Sequence, residues 1–251
     1  MKKVYFIGAG PGDPELMTLK GKRIVETSDI LIYAGSLVNP EVMKWRKKES
    51  DVYNSASMTL DEVIGVMLEG IKLNKKIVRI HTGDPSIYGA IREQIDRLSK
   101  ENIESEVVPG VSSFVASAAA LNMEFTLPDI TQTVILTRME GRTPVPEEES
   151  LDKLASHKAS MAIFLSVQMI DKVVDKLLVH YPLSTPVAVV QRASWPDQLT
   201  VLGNLENISQ KVKEANISKT AQILVGNFLG NEYSLSKLYD KSFSHEYRDA
   251  K

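Results

Sequence analysis

Three glycine-centred turns, each following a short apolar run, carry most of what could do chemistry in this sequence. Gly8-Ala9-Gly10-Pro11-Gly12-Asp13 follows residues 4–7. His81-Thr82-Gly83-Asp84-Pro85-Ser86-Ile87-Tyr88 ends the run 77–81, and Pro109-Gly110-Val111-Ser112-Ser113 follows Val107-Val108. Turns of this kind at the carboxyl ends of strands are where open α/β sheets bind ligands. The first invites a dinucleotide reading, but the fingerprint needs a glycine at its sixth position and Asp13 stands there. A carboxylate at that point opposes a pyrophosphate, and the run 30–33 does not end in an acidic ribose clamp. In the second turn Gly83 lets a ligand approach the main chain. Asp84 either accepts hydrogen bonds from a ligand or caps the element that follows. The serines of the third turn either cap a helix or meet a ligand. Together the three turns predict one concave wall lined by backbone amides.

The elements that must position these turns follow from the hydrophobic pattern. Apolar runs predict strands over 4–7, 30–33, 77–81 and 107–108, then over 133–138, 161–166, 187–192, 199–203 and 222–227. Leu60, Val63, Ile64, Met67, Leu68 and Ile71 recur at helical spacing, with Thr59 and Glu62 as a capping box. Helical character is also expected over 15–27, from about Tyr88 with Ile91, Ile95 and Leu98 inward, over 112–121, and over 168–181. The strand at 199–203 follows its predecessor too closely for a helical crossover, so that pair should be antiparallel. Alternating strands and helices predict an α/β fold in both halves. The expected division is an N-terminal domain over 1–121, a linker over 122–131, a C-terminal domain over 132–230 and a polar tail over 231–251.

Composition narrows the chemistry. The 251 residues carry a formal charge of −2, so no global field gathers nucleic acid or an anionic membrane. No cysteine is present, which excludes disulfides, thiolate metal sites and a cysteine nucleophile. No apolar run approaches the roughly 18–20 residues of a membrane helix. The expectation is a soluble, cytoplasmic protein without a metal, a nucleic-acid partner or a membrane partner.

With these residues in view, the sequence resembles the tetrapyrrole methylases over nearly its whole length. The glycine-proline-glycine-aspartate turn, the glycine-aspartate-proline loop and the proline-glycine-valine-serine segment are all similar to that family's motifs. Two further stretches, Tyr33-Ala34-Gly35-Ser36-Leu37-Val38 and Thr137-Arg138-Met139-Glu140-Gly141-Arg142-Thr143-Pro144-Val145-Pro146, resemble the branch that methylates carbon 11 of precorrin-4 or its cobalt form. The resemblance implies two α/β domains of the tetrapyrrole methylase type with the active site in the trough between them, and a homodimer. It implies S-adenosylmethionine as donor and S-adenosylhomocysteine as product. By position, the donor site would include Pro11, Gly83, Asp84, Ile87, Ser112 and Ser113, with Ser166, Ala193, Thr220 and Ala221 from the second half.

A tetrapyrrole with several peripheral carboxylates calls for arginine forks. Arg138 and Arg142 are the candidates, with Glu140 between them either pairing with one arginine or meeting a ring nitrogen. No acidic residue follows the second strand, so His81, Tyr33 and Ser36 are the remaining candidates for acid–base or pocket-lining roles. Rival expectations are a relative acting on another precorrin, on RNA or on a protein, a non-catalytic metabolite-binding protein, and a dehydrogenase.

Overall fold

A computed structural model describes residues 2–35, 37–236 and 240–250. Contacts divide the chain into two units. The first comprises 1–116 and 192–197, the second 117–191 and 198–251. The division therefore falls a few residues before the expected linker at 122–131 and returns a short later segment to the first unit.

The first unit holds β1 (Lys3–Gly8), α1 (Leu19–Glu26), β2 (Ile30–Tyr33), β3 (Asp51–Asn54), α2 (Leu60–Lys72), β4 (Ile77–His81), α3 (Arg92–Lys100), β5 (Glu104–Val108) and the start of α4 (Ser113–Ala120). Its five strands are all parallel in the order β3-β2-β4-β1-β5. Both faces are covered, as a parallel sheet requires. Ile7, Leu31, Val78 and Ile80 pack with Ile24 and Val25 of α1 on one side. Val4, Phe6, Ile32 and Ile77 pack with Met67 of α2 and Leu98 of α3 on the other. The chain leaving β1 crosses to β2, and the chain leaving β4 crosses to β5, so the two connections depart in opposite directions from neighbouring strands. That is a topological switch point, and it opens at the carboxyl ends of β1 and β4.

Local chemistry sets the helix boundaries. Thr59 caps α2 by accepting from the Glu62 amide while the Glu62 carboxylate accepts from the Thr59 amide at 2.6 Å, the expected capping box. The expected helix at 15–27 is instead a 3-10 turn at Pro14–Leu16 followed by α1, which Thr18 caps through the Gly21 amide. The helix expected from Tyr88 begins only at Arg92. Tyr88 (φ 54°) and Ala90 (φ 48°) are left-handed, and such residues cannot continue a right-handed helix. β3 was not expected: its four residues are all exposed, so no buried stripe announces it.

The second unit contains β6 (Val134–Arg138), α5 (Leu151–Ala155), β7 (Ser160–Phe164), α6 (Ile170–Leu177), β8 (Pro186–Gln191), β9 (Leu199–Asn204), α7 (Ile208–Glu214) and β10 (Ala221–Val225). The sheet order is β6-β7-β10-β8-β9, with β6 and β7 parallel and the other pairs antiparallel. β8 and β9 form the antiparallel pair that their short connection dictates. α6 is shorter at both ends than the expected 168–181, a 3-10 turn at Val167–Met169 preceding it. It buries Ile170, Val173, Val174 and Leu177 against Met161, Ile163, Val189 and Ile223. Each such side chain contributes roughly 1.5–3 kcal/mol by leaving water. The Glu147–Glu149 run is an exposed 3-10 turn rather than the start of a helix. Beyond residue 230 the described tail holds only the isolated bridge between His245 and Arg248. Among the described residues, no helix is long and apolar enough to cross a membrane.

Candidate functional site

The three glycine turns meet at the switch point. The Ala9 amide donates to the His81 carbonyl at 2.8 Å, extending the β1–β4 pairing past the end of the sheet. Gly10 and Gly83 then exchange both main-chain hydrogen bonds, at 3.3 and 2.7 Å, in an antiparallel bridge. Both are left-handed, φ 79° and 59°, which glycine adopts at little cost. Gly8 and Gly110 are needed for a different reason. A Cβ on Gly8 would lie 2.5 Å from the Gly83 carbonyl oxygen and 2.7 Å from the Gly110 Cα. One on Gly110 would lie 2.2 Å from that same oxygen. The wall that the sequence predicts is thus main chain packed on main chain.

Asp84 ties the second turn to the third. Its Oδ1 accepts from the Ser86 amide at 2.8 Å, and its Oδ2 accepts from the Gly110 amide at 2.8 Å. Of the two readings open for this carboxylate, the structure places it on protein amides, and no helix begins until Arg92. Replacing Asp84 with alanine should strand the Gly110 amide and cost about 1–3 kcal/mol. Denaturant unfolding of Asp84→Ala checks this. Asp84→Asn, which keeps one acceptor oxygen, should lose less, and equal losses in the two variants would contradict the two-amide role.

The other first-unit candidates surround this wall. Pro11 and Ser112 are buried, and the Ile87 amide bonds to the Asp84 carbonyl at 3.2 Å. Ser113 opens α4. Ala193 is buried within 192–197, the segment that contacts assign to the first unit. Tyr33 ends β2, where its carbonyl accepts from the Ser55 hydroxyl at 3.1 Å and its ring packs on the apolar cluster around α1. Ser36 lies outside the described residues.

His81 is a poor base in this position. It is buried on the α2–α3 side of the sheet, its ring 6.0 Å from that of Phe6, and its Nε2 meets no partner among the described residues. Loss of hydration, reinforced by the neighbouring Arg79 cation, pushes its pKa down to about 3. The imidazole is therefore neutral at physiological pH and takes up a proton far less readily than a solvated histidine. Arg79, two residues earlier on the same face, is also buried, with Nε and Nη1 unpartnered and its own pKa lowered to about 10 by burial.

In the second unit the expected side-chain contacts are largely taken. The Ser166 hydroxyl accepts from the Met139 amide at 2.9 Å and donates to the Phe164 carbonyl at 2.6 Å, with the residue fully buried. Arg138, the last residue of β6, is not an open fork for a substrate carboxylate. It donates to the carbonyls of Pro144 at 2.7 Å, Thr143 at 3.1 Å and Met139 at 3.4 Å, bracing the loop that carries Glu140 and Arg142. Glu140 pairs with neither arginine, and both Glu140 and Arg142 are exposed without a bonded partner among the described residues. Thr220 is exposed at φ 55°, and Ala221 opens β10 opposite Gln191. Sequence reasoning missed Asn39, whose Nδ2 donates to the Gly12 carbonyl at 2.8 Å. It also missed Trp195, a bulky aromatic before a proline in a loop, which was the available signal.

Comparison with known proteins gives this geometry its context. The family model for tetrapyrrole (corrin/porphyrin) methylases matches residues 3–209. A cobalt-precorrin-4 C(11)-methyltransferase of Methanocaldococcus jannaschii is 57% identical over 249 residues, covering 98% of this chain and 96% of the relative. The X-ray structure of a cobalt precorrin-4 methyltransferase superposes with a TM-score of 0.89 at 45% identity, over 91% of this chain and 96% of that one. A uroporphyrin-III C-methyltransferase from Thermus thermophilus, solved with S-adenosylhomocysteine, superposes at 0.76 with 25% identity, over 91% and 93% of the two chains. The chain belongs to the tetrapyrrole methylase family.

Proposed function

We propose that the protein transfers a methyl group from S-adenosylmethionine to ring carbon 11 of precorrin-4 or its cobalt form, a step of cobalamin biosynthesis. The observation that carries this reading is the closure of three glycine turns into one main-chain wall at the switch point of the first sheet. The wall suits this donor. Residues 8–13, 82–88 and 109–113 contain no lysine or arginine to hold a pyrophosphate. The carboxylates there, Asp13 and Asp84, are engaged by the Glu15, Ser86 and Gly110 amides. Uncharged, close-approaching main chain is left for an adenosyl sulfonium.

When bound, S-adenosylmethionine supplies an electrophilic methyl on a positively charged sulfur that departs as a neutral thioether, so no developing anion needs a hole. The protein's task is alignment of ring carbon, methyl and sulfur. Gly10 and Gly83 let the main chain approach closely. Pro11, Ile87, Ser112, Ser113 and Ala193 line the donor, and Ser166, Thr220 and Ala221 complete the proposed set. Ser166 acts there through its backbone, its hydroxyl being committed. On the substrate side Arg142 pairs with a peripheral carboxylate of the macrocycle, while Arg138 braces the loop that presents it. A homodimer and a cytoplasmic setting belong to the same reading, on the strength of the family resemblance.

Methyl-labelled S-adenosylmethionine incubated with precorrin-4, with and without cobalt, should deliver label to the macrocycle. Nuclear magnetic resonance of the product should place it on carbon 11. Arg142→Ala should raise KM for the macrocycle about tenfold or more, the worth of a charge-assisted contact, with donor affinity unchanged. Label that never leaves the donor, or that appears on RNA or protein instead, would defeat the proposal.

A further inference from the structure

The segment Arg192–Asp197 leaves β8 and holds the first glycine turn from outside its own sequence neighbourhood. Trp195 Nε1 donates to the Pro11 carbonyl at 2.9 Å, and the Asp13 amide donates to the Ser194 hydroxyl at 2.9 Å. Between these two bonds lies Gly12, where a Cβ would sit 2.0 Å from Trp195 Cδ1 and 2.3 Å from Nε1. Gly12 is not left-handed, so its lack of a side chain answers to the indole and not to backbone conformation. The indole is itself fixed. The Arg192 guanidinium lies 3.9 Å from the ring centroid, and Arg192 Nε bonds to Asp197 at 2.7 Å. Arg192 and Ser194 both hold positive φ, 50° and 69°, a conformation that costs free energy in side-chain-bearing residues unless the surroundings enforce it.

We propose that Trp195 is a positioning residue for the methyl donor. Its indole latches Pro11–Asp13 in the one conformation that leaves Gly10 bridged to Gly83, so the donor meets a wall already formed. A turn left to order itself on binding would bind more weakly by the entropy of that ordering. The inference rests on the donor reading above and names a residue outside the donor-contacting set.

Two measurements test it separately. In the protein without ligand, Trp195→Phe keeps an aromatic ring against Gly12 but loses the N–H. Hydrogen exchange at the amides of residues 9–13 should then quicken about tenfold, the scale of one lost hydrogen bond to a buried carbonyl, with the thermal midpoint little changed. In calorimetry the same variant should bind S-adenosylhomocysteine about tenfold more weakly, while KM for the macrocycle stays as in the parent. Gly12→Ala should weaken donor binding in the parent protein but add little in a Trp195→Ala background, because the collision is then gone. Unchanged donor affinity in Trp195→Phe overturns the proposal, as does a Gly12→Ala effect that adds in full to Trp195→Ala. If the parent protein binds no S-adenosylhomocysteine while exchange still quickens in Trp195→Phe, the donor reading fails, and the latch is then a clamp on the turn with no role toward a donor.

Discussion

Gly110→Ala is expected to abolish S-adenosylhomocysteine binding, by a hundredfold or more, and to cost about 3 kcal/mol of stability, the upper range for overpacking. The new Cβ would lie 2.2 Å from the Gly83 carbonyl oxygen and 2.8 Å from the Gly8 Cα. Both are main chain, so neither can swing aside as a flexible side chain would. Relief requires the second or first turn to move, which breaks the Gly10–Gly83 bridge and pulls the Gly110 amide from Asp84. Gly65→Ala is the matched control. It lies within α2 with nothing within 4 Å of the added atom, so alanine should stabilise the helix by about 0.5–1 kcal/mol and leave binding intact. Titration calorimetry and urea unfolding on both variants measure the contrast. Donor affinity in Gly110→Ala within a few-fold of the parent would show that the three turns do not form the donor wall.

The second large effect is a loss of stability in mild acid that runs through His81. Its pKa is about 3 in the fold against an ordinary 6.5 in the unfolded chain. Above the ordinary value the imidazole is neutral in both states and nothing is lost. As pH falls below 6.5 the unfolded chain takes up the proton and the folded one does not, so stability declines until pH reaches the folded value. At 1.36 kcal/mol for each tenfold of proton affinity, the loss from this residue should be about 2–3 kcal/mol by pH 4.5 and on the order of 4–5 kcal/mol by pH 3. Carboxylates held below their usual range, such as Asp29 beside Lys47, add to the acid loss. They do so equally in a His81→Gln variant. The fall in unfolding free energy between pH 7 and about pH 4.5 should therefore be smaller in His81→Gln than in the parent by about 2–3 kcal/mol. Equal falls would mean that the imidazole is solvated and would return it to consideration as a base.

What could be seen in the sequence was the part governed by local rules. Buried parallel strands are rich in apolar residues, so β2, an unbroken apolar run, and β4, whose Ile77, Val78 and Ile80 outweigh Arg79 and His81, were legible to the residue. The Thr59–Glu62 pair marked the start of α2 because a capping box is a property of four consecutive residues. β3 escaped because an exposed edge strand needs no apolar stripe. The start of α3 was misplaced because the spacing of Ile91, Ile95 and Leu98 does not reveal the left-handed turn at Tyr88 and Ala90. At the site, the three turns stood out by their glycines, whereas what their side chains bond to did not. Asp84 reaches an amide 26 residues away, and Arg138 turns back onto carbonyls of its own loop. The first partner is too far along the chain for a local pattern to record, and the direction in which a loop arginine turns is fixed by packing that its neighbours in sequence do not reveal.

The pairing of Gln191 with Leu199 closes the β8–β9 hairpin at a defined place, so the seven residues 192–198 form a connector with both ends anchored. Within it, the adjacency of Ser194 and Trp195 matters as much as their identity, because one meets Asp13 and the other Pro11. A single insertion or deletion between Ser194 and Trp195 would break their paired hold on Asp13 and Pro11 even with every side chain retained. The spacing of these two residues is therefore as much a part of the first turn's support as the ring itself.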